Sequence, residues 1–397
     1  MALASYRDPK FVPALARSSS LRFEVVETLA GLEDLANSWY ALAARAALPT
    51  QGFQSFAWLR SWAENYADSG QRLKIVLGWT GNELALIWPL GVLHFFGLTI
   101  LGFLGEPLCQ YHDVLAVDGE IGDALIANAL DFVRGMPHDI LNLRRVREDS
   151  RLAIALRTAG ARVIRSELAP FIDFGGAKTF EAFERSLSSK ERANHRRRLR
   201  HIEKLGDVTF ESPTSPEKVD SLIAIAMGFK REWALKGGHY APSLFDPRFE
   251  RCLRAAARAS DPNASLHVFA ISVDGRPVGV EISFGYRDRL FAHVLAPNPA
   301  LSKFGFGNVL RDASIANAFA QGYQIYDLLA PANAFKCAWT SESVEVTDFS
   351  LPLSRRGVIA DSALTPAKKI GRRWIQNAPP IVGRALLWIV KGRNALR

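Results

Sequence analysis

The chain has 397 residues, 48% apolar and 22% charged, with 49 Lys/Arg against 40 Asp/Glu. That composition excludes a disordered protein, and the length is too great for one ordinary core, so two domains are expected. The net charge of +9 is local: residues 355–397 hold ten Lys/Arg and one Asp while the rest of the chain balances, which speaks against nucleic acid as a partner of the folded body. Cys109, Cys252 and Cys337 lie far apart without a CxxC spacing, and the eight histidines form no HExxH. Neither a metal site nor a disulfide framework is expected, and a reducing, cytoplasmic compartment follows.

Residues 1–20 read as a flexible arm without the continuous apolar core of a secretory signal. LRFEVVETL (21–29) predicts a strand, followed by helices over 31–47 and 53–67 and a strand over 72–79. The 22 residues between Glu83 and Glu106 carry no Asp, Glu, Lys or Arg and are long enough to cross a bilayer. Pro89, Gly91, Gly97, Gly102 and Gly105 cut this run into strand-sized pieces, so buried strands over 83–92 and 98–104 are expected instead. A helix over 121–135, a strand over 139–143, a helix over 149–159 and a strand over 162–174 complete the first half.

The second half repeats this grammar. Helices are expected over 179–205, 215–236 and 246–259, strands over 265–273, 277–286 and 289–295, a helix over 307–321, and strands over 324–329 and 344–351. Mixed strands and helices, twice over, give an α/β (α+β) protein of two similar units, residues 21–174 and 175–352. From 353 to 397 Pro352, Pro366, Pro379 and Pro380 border or break a basic tail appended to the second unit. Its segments KKIGRRWI (368–375) and PIVGRALLWIVKG (380–392) suit either an interfacial helix on an anionic membrane surface, at the inner face, or docking onto the body.

The chemistry concentrates in residues 277–340. Val278, Val280, Ile282 and Phe284 alternate with Gly279, Glu281 and Ser283, as in a half-buried strand. A second strand ends at Ala296-Pro297, and SKFGFGN then leads into a helical pattern. Gly305 and Gly307 remove side chains where the backbone turns, and the helix start supplies unpaired N–H groups and a positive dipole end, suited to a diphosphate. Lys303, Phe304, Gly305, Phe306, Gly307 and Asn308 are the candidate coenzyme-binding residues. The corresponding first-half loop, AVDGEIGDAL (116–125), carries Asp118, Glu120 and Asp123, which would repel a diphosphate.

This run resembles the GNAT acetyltransferase fold. More closely, it resembles the CelD-type acetyltransferases associated with bacterial polysaccharide biosynthesis, which are similar to FemAB-type transferases. Phe306-Gly307 stands for the family's Pro-Gly, Asp327-Leu328 for Asp-Phe, Phe335-Lys336 for Tyr-Lys, and Trp339 for the Trp; Phe306 and Pro331 depart from its Pro and Gly. The resemblance covers residues 180–350 and extends loosely to FQSFAWLRSW (53–62). It implies tandem GNAT-like domains, each a central mixed twisted sheet flanked by helices. It also implies acetyl-CoA as co-substrate in the second domain, with backbone amides supplied where strands 277–286 and 289–295 splay.

Acyl transfer needs a base for the acceptor proton. Glu281 and His293 are candidates, against a structural carboxylate and a packed histidine. Asp327 follows apolar residues, so it either forms a buried ion pair with Lys336 or orients the acceptor as a base. Lys336 would otherwise hold a phosphate or sugar hydroxyl, and Trp339 stack on a sugar or pack in the core. Lys230 and Trp233 line the acceptor cleft, or are a surface lysine beside a core tryptophan. Ser186–Lys204, with seven Lys/Arg and two Glu, is a solvated face, an anion-capturing helix or an RNA contact. The expected function is transfer of acetyl to a small-molecule or glycan acceptor, such as an amino sugar or polysaccharide precursor. The alternatives are a FemAB-like aminoacyl-tRNA-dependent transferase and a non-catalytic scaffold.

Overall fold

The computed structural model describes residues 21–67, 71–239 and 241–362; the arm 1–20 and the tail segments 368–375 and 380–392 lie outside the described residues. The first half runs β1 (Leu21–Val26), α1 (Leu29–Asp34), α2 (Ala36–Ala46), α3 (Phe56–Tyr66), β2 (Gln71–Thr80), β3 (Glu83–Phe95), β4 (Leu98–Phe103), β5 (Leu115–Ala116), α4 (Gly119–Arg134), β6 (Ile140–Arg147), α5 (Arg151–Thr158) and β7 (Arg162–Asp173). The second half runs α6 (Phe180–Ser186), α7 (Ser189–Ile202), β8 (Val208–Glu211), α8 (Pro216–Gly237), α9 (Pro247–Arg258), β9 (Ala264–Val273), β10 (Arg276–Tyr286), β11 (Arg289–Pro297), α10 (Phe306–Ala320), β12 (Ile325–Asp327), α11 (Ala334–Cys337) and β13 (Ser343–Pro352).

Local chemistry explains most starts and stops. Ser215 caps α8 by accepting from Lys218 N, with Pro216 at the first helical position, and Asp246-Pro247 opens α9 in the same way. The helix expected over 179–205 is two helices, because Ser188 takes an extended backbone and caps α7 through Glu191 N. The apolar run 84–105 forms β3 and β4, paired antiparallel from Leu90↔Phe103 to Phe95↔Leu98. Among the described residues no helix is long and apolar enough to cross a membrane.

The thirteen strands form one sheet in the order β1-β2-β3-β4-β6-β13-β7-β12-β11-β10-β9-β8, with β5 on β3. Two α/β halves are thus joined edge to edge. Strand β7 is the joint: its residues 162–170 pair with β13 and 171–173 with β12. The last strand does not stay with the second half, since β13 inserts between β6 and β7. Residues 353–362 follow it, so they pack on the first half: Ser354 Oγ donates to Asp139 (2.7 Å) and Arg162 Nε to Asp361 (3.0 Å). One hydrophobic core crosses the joint, carrying Trp39, Phe53 and Leu59 together with Leu222, Leu253 and Phe284.

Strand β10 is buried along Val278–Tyr286 on both faces, not half-buried as its alternation suggested. Val280, Ile282 and Phe284 face the core shared with α8, α9 and the first half, while α10 covers the side carrying Gly279, whose Cβ would meet Leu310 at 3.2 Å.

Asp327 closes the joint. It is fully buried at the end of β12, where Oδ1 accepts from Tyr111 Oη (2.7 Å) and Leu329 N (2.9 Å) and Oδ2 from Arg289 Nη1 (2.7 Å). Arg147 stands 3.8 Å away. Tyr111 and Arg147 belong to the first half, so one carboxylate ties the halves together. Replacing it leaves the buried Arg289 guanidinium without a carboxylate, while Arg147 keeps its bidentate pair with Asp149 (3.0 and 2.8 Å), and Asp327→Ala is expected to cost about 3–5 kcal/mol in urea unfolding, with Asp327→Asn costing less. A loss below about 1 kcal/mol for both variants, the range of an exposed ion pair, would remove this lock from the account.

Candidate active site

The cleft arises from a fork in the sheet. β11 and β12 run parallel only from Arg289↔Ile325 to Phe291↔Asp327. Beyond that point the chain leaves β11 to follow β7, with Leu328 N donating to Pro170 O (3.0 Å) and Ala332 N to Leu168 O (2.8 Å). Beyond Phe291, β11 therefore has no ladder partner on that side among the described residues. The splay expected between 277–286 and 289–295 is not there: β10 and β11 stay paired from Tyr286↔Arg289 to Gly279↔Pro297. It lies one strand further on, because β12 ends after three residues.

Two adjoining cavities fill the fork. The inner one, about 430 Å³, is bordered by Ala292, His293 and Leu295 of β11 on one side and Leu328–Ala330 on the other. The outer one, about 600 Å³, opens at the start of α10. Trp233, Pro297, Gly307 and Phe335 border both, so they form one passage.

The glycine loop shapes the outer cavity. Gly305 takes φ +77°, a left-handed conformation that glycine adopts at no steric cost, and ends one short helix while starting α10. A Cβ on Gly307 would stand 3.2 Å from Pro297 Cγ, in the neck shared by both cavities. No side chain among the described residues caps α10; Asn308 N donates to Gly305 O (3.0 Å), which leaves the N–H groups of Phe306 and Gly307 available. Gly305, Phe306, Gly307 and Asn308 border the cavity, joined by Ser302 and Lys236. Lys303 and Phe304 do not; the Lys303 ammonium lies over the Phe304 ring, 4.9 Å from its centre. In the first half, Asp118 and Asp123 at the start of α4 stand 3.9 and 3.5 Å from Arg151.

The inner cavity holds the titratable groups. Glu281 is 1% exposed; its Oε1 accepts from Ser283 Oγ (2.6 Å) and Tyr326 Oη (2.7 Å), and its Oε2 has no hydrogen-bond partner among the described residues. Burial raises its pKa, against the pull of the Ser283, Tyr326 and Ser314 hydroxyls and the Arg311 charge. Arg311, one turn along α10 from Gly307, is buried with its Nε and Nη1 unpartnered among the described residues and its guanidinium 4.2 Å from the centre of the Phe335 ring. Lys336 donates to Leu329 O (2.7 Å) and Pro331 O (2.9 Å), and burial together with Arg311 pushes its pKa down to about 8. Burial likewise lowers the pKa of Lys230, whose ammonium sits 4.2 Å from the centre of the Trp233 ring.

Glu281, His293, Lys230, Trp233 and Lys336 thus meet at one cavity, together with Gly307. The lysine–tryptophan pair inverts the surface-lysine alternative: Trp233 is 41% exposed and Lys230 is the more enclosed partner. Asp327 and Trp339 do not border the cavity. Asp327 is saturated by the joint and does not pair directly with Lys336; the link runs through Leu329, whose N–H bonds Asp327 and whose carbonyl holds Lys336. Trp339 is 4% exposed, stacked 4.1 Å from His195, and donates to Asp312 (3.1 Å). Helix α7 lies outside the cavity; it buries His195 and Ile202, while Arg196, Arg197 and Arg200 are exposed. Sequence reasoning missed Arg311, although its place four residues after Gly307 on a helix puts both on one face.

Residues 189–337 match the family described as the acetyltransferase (GNAT) domain. This part of the chain is therefore an acyltransferase domain of GNAT type, a class that usually takes an acyl-CoA. No curated protein sequence matches the chain. Among solved structures, the C-terminal domain of a putative lysylphosphatidylglycerol synthetase from Agrobacterium fabrum is 12% identical, with a TM-score of 0.51 over 85% of this chain and 95% of that one. FemX is 13% identical, with a TM-score of 0.53 over 73% of this chain and 90% of its own. At these identities the likeness is one of fold.

His293 supplies a check on the inner wall. Its Nε2 donates to Leu108 O (2.6 Å), its Nδ1 has no partner among the described residues, and burial pushes its pKa down to about 4. A depressed histidine pKa gives stability that is complete above the unfolded value near 6.5 and is lost as pH falls through the folded value. In His293→Gln the loss of stability between pH 6.5 and pH 4, measured by urea unfolding at each pH, should be shallower by about 1–2 kcal/mol than in wild type. An unchanged profile would mean that His293 is hydrated and titrates freely.

Proposed function

We propose that the chain is an acyl-CoA-dependent N-acyltransferase that moves acetyl from acetyl-CoA to an amino sugar or polysaccharide precursor, the activity its CelD-type resemblance implies. The observation that carries this reading is the joined pair of cavities. One opens at the glycine loop of α10, whose helix start would suit a diphosphate, and the other is bordered by Glu281, a buried carboxylate whose Oε2 is unpartnered among the described residues.

Gly305, Gly307 and Asn308 would hold the diphosphate with the N-terminal amides of α10, and Lys236 would add charge. Acetyl-CoA supplies the activated thioester. The acceptor nitrogen forms the new N–C bond as the C–S bond breaks, and its proton passes to Glu281 Oε2. Backbone groups on the unpaired edge of β11 would bind the carbonyl oxygen as charge develops. Since burial raises the Glu281 pKa, the rate should rise as pH passes that raised value and the carboxylate ionises. It should fall again above about 8, where Lys336 loses its charge.

Calorimetry of the purified chain should show micromolar acetyl-CoA binding that Gly307→Glu abolishes, since a carboxylate there fills the neck, neutralises the positive helix end and repels a diphosphate. Glu281→Gln should keep acetyl-CoA affinity within about twofold and lower kcat by about 100-fold on any amine the enzyme accepts, followed by release of free thiol. Absence of acetyl-CoA binding, with binding of free tRNA, would replace this reading with the FemAB-like one. Binding of neither would leave a scaffold.

A further inference from the structure

The inner cavity carries more positive charge than a neutral amine requires. Lys230, Arg311 and Lys336 border it against one carboxylate, Glu281. No hydrogen bond or ion pair among the described residues neutralises any of the three: Lys336 reaches only main-chain carbonyls, while Arg311 and Lys230 rest on the Phe335 and Trp233 rings. The nearest other carboxylates are engaged, Asp327 by Arg289 and Tyr111, and Asp312 by Arg198 and Trp339. Arg311 is the decisive group. It is more than nine-tenths buried, borders the cavity, and leaves two guanidinium nitrogens unpartnered, an arrangement that carries a desolvation cost unless an anion arrives.

We infer that the acceptor is an amine that also bears an anionic group, a carboxylate or a phosphate: the anion binds Arg311 with Lys336 and Lys230 around it, and the amine meets Glu281. The amine half of this statement rests on the acyltransferase reading; the anion half does not. Arg311 is well suited to the task, since its guanidinium stays charged when buried and the Phe335 face fixes its plane. A substrate with both charges would satisfy the unpaired carboxylate oxygen and the unpaired guanidinium nitrogens together, which neither an uncharged sugar nor a simple amine can do. The same anion could instead belong to the acyl chain of a dicarboxylic acyl-CoA, entering through the neck at Gly307.

The test compares glucosamine 6-phosphate, glucosamine and glucose 6-phosphate by calorimetry on the full chain, and acetyl-CoA with succinyl-CoA. Glucosamine 6-phosphate should bind at least about tenfold more tightly than either sugar with one charged group, an increment of about 1.4 kcal/mol or more. Arg311→Met should lose that advantage and leave the weak glucosamine affinity alone, while Arg311→Lys should retain part of it. Lys230→Met, at the more open wall, gives a second variant should Arg311 prove necessary for folding. Equal binding of glucosamine and its phosphate, unaffected by Arg311→Met or Lys230→Met, overturns the inference. So does succinyl-CoA binding tenfold tighter than acetyl-CoA in an Arg311-dependent manner, which would put the anion on the donor. The sugar arms need no coenzyme, so a failure of acetyl-CoA to bind would count against the acyltransferase reading alone.

Discussion

Asp327 stands where the sheet forks, and the cleft depends on it. Its carboxylate joins β11 through Arg289 to the first half through Tyr111, at the last rung where β11 and β12 are paired. Its Oδ1 also accepts from Leu329 N, holding a non-glycine residue at φ +60°, a left-handed conformation that costs about 1 kcal/mol. That turn directs the chain onto β7 and away from β11. The carbonyl of Leu329 then fixes the Lys336 ammonium at the cavity wall. A single buried charge thus opens the fork and places a cation beside it without bordering the cavity.

The two cavities differ in what they ask of a ligand. At the glycine loop the protein contributes mainly backbone: a left-handed Gly305, a Gly307 without a side chain in the neck, and a helix start with free N–H groups. Further in, the wall is made of charged side chains held by burial and by aromatic faces, Arg311 on Phe335 and Lys230 on Trp233. In the proposed reading the first would take the coenzyme and the second the acceptor. The first half contributes support more than chemistry. Leu108 holds His293, Gln54 holds the Tyr111 carbonyl, and Gly52 comes so close to Phe291 that a Cβ there would stand 2.8 Å from the ring.

Much of this was legible in the sequence because its signals are local. The break at Gly97 divides the apolar run 84–105 into two strands, although Pro89 and Gly91 lie within β3, and strand–GxG–helix order located the glycine loop that borders the outer cavity. What stayed hidden depends on distant partners. No local signal tells β13 to return between β6 and β7, or β12 to stop after three residues and so open the fork on its side of β11. Asp327 and Lys336 looked like mutual partners from their spacing, but Arg289 and Tyr111 reach the carboxylate first. Trp233 looked like core and is exposed, because α8 turns that face toward the cavity, while Trp339 is enclosed by His195 on the basic helix. The buried charges of Arg311 and Glu281 follow from layers on both faces of β10, which alternation alone does not show.

Amide hydrogen exchange with and without acetyl-CoA tests the central claim most directly, that the fork between β11 and β12 is a coenzyme site built on the start of α10. Slowed exchange confined to Phe306–Val309 and to the open edge of β11 over Ala292–Pro297 is expected. Protection at the start of α4 in the first half, or no protection anywhere at saturating acetyl-CoA, would contradict it.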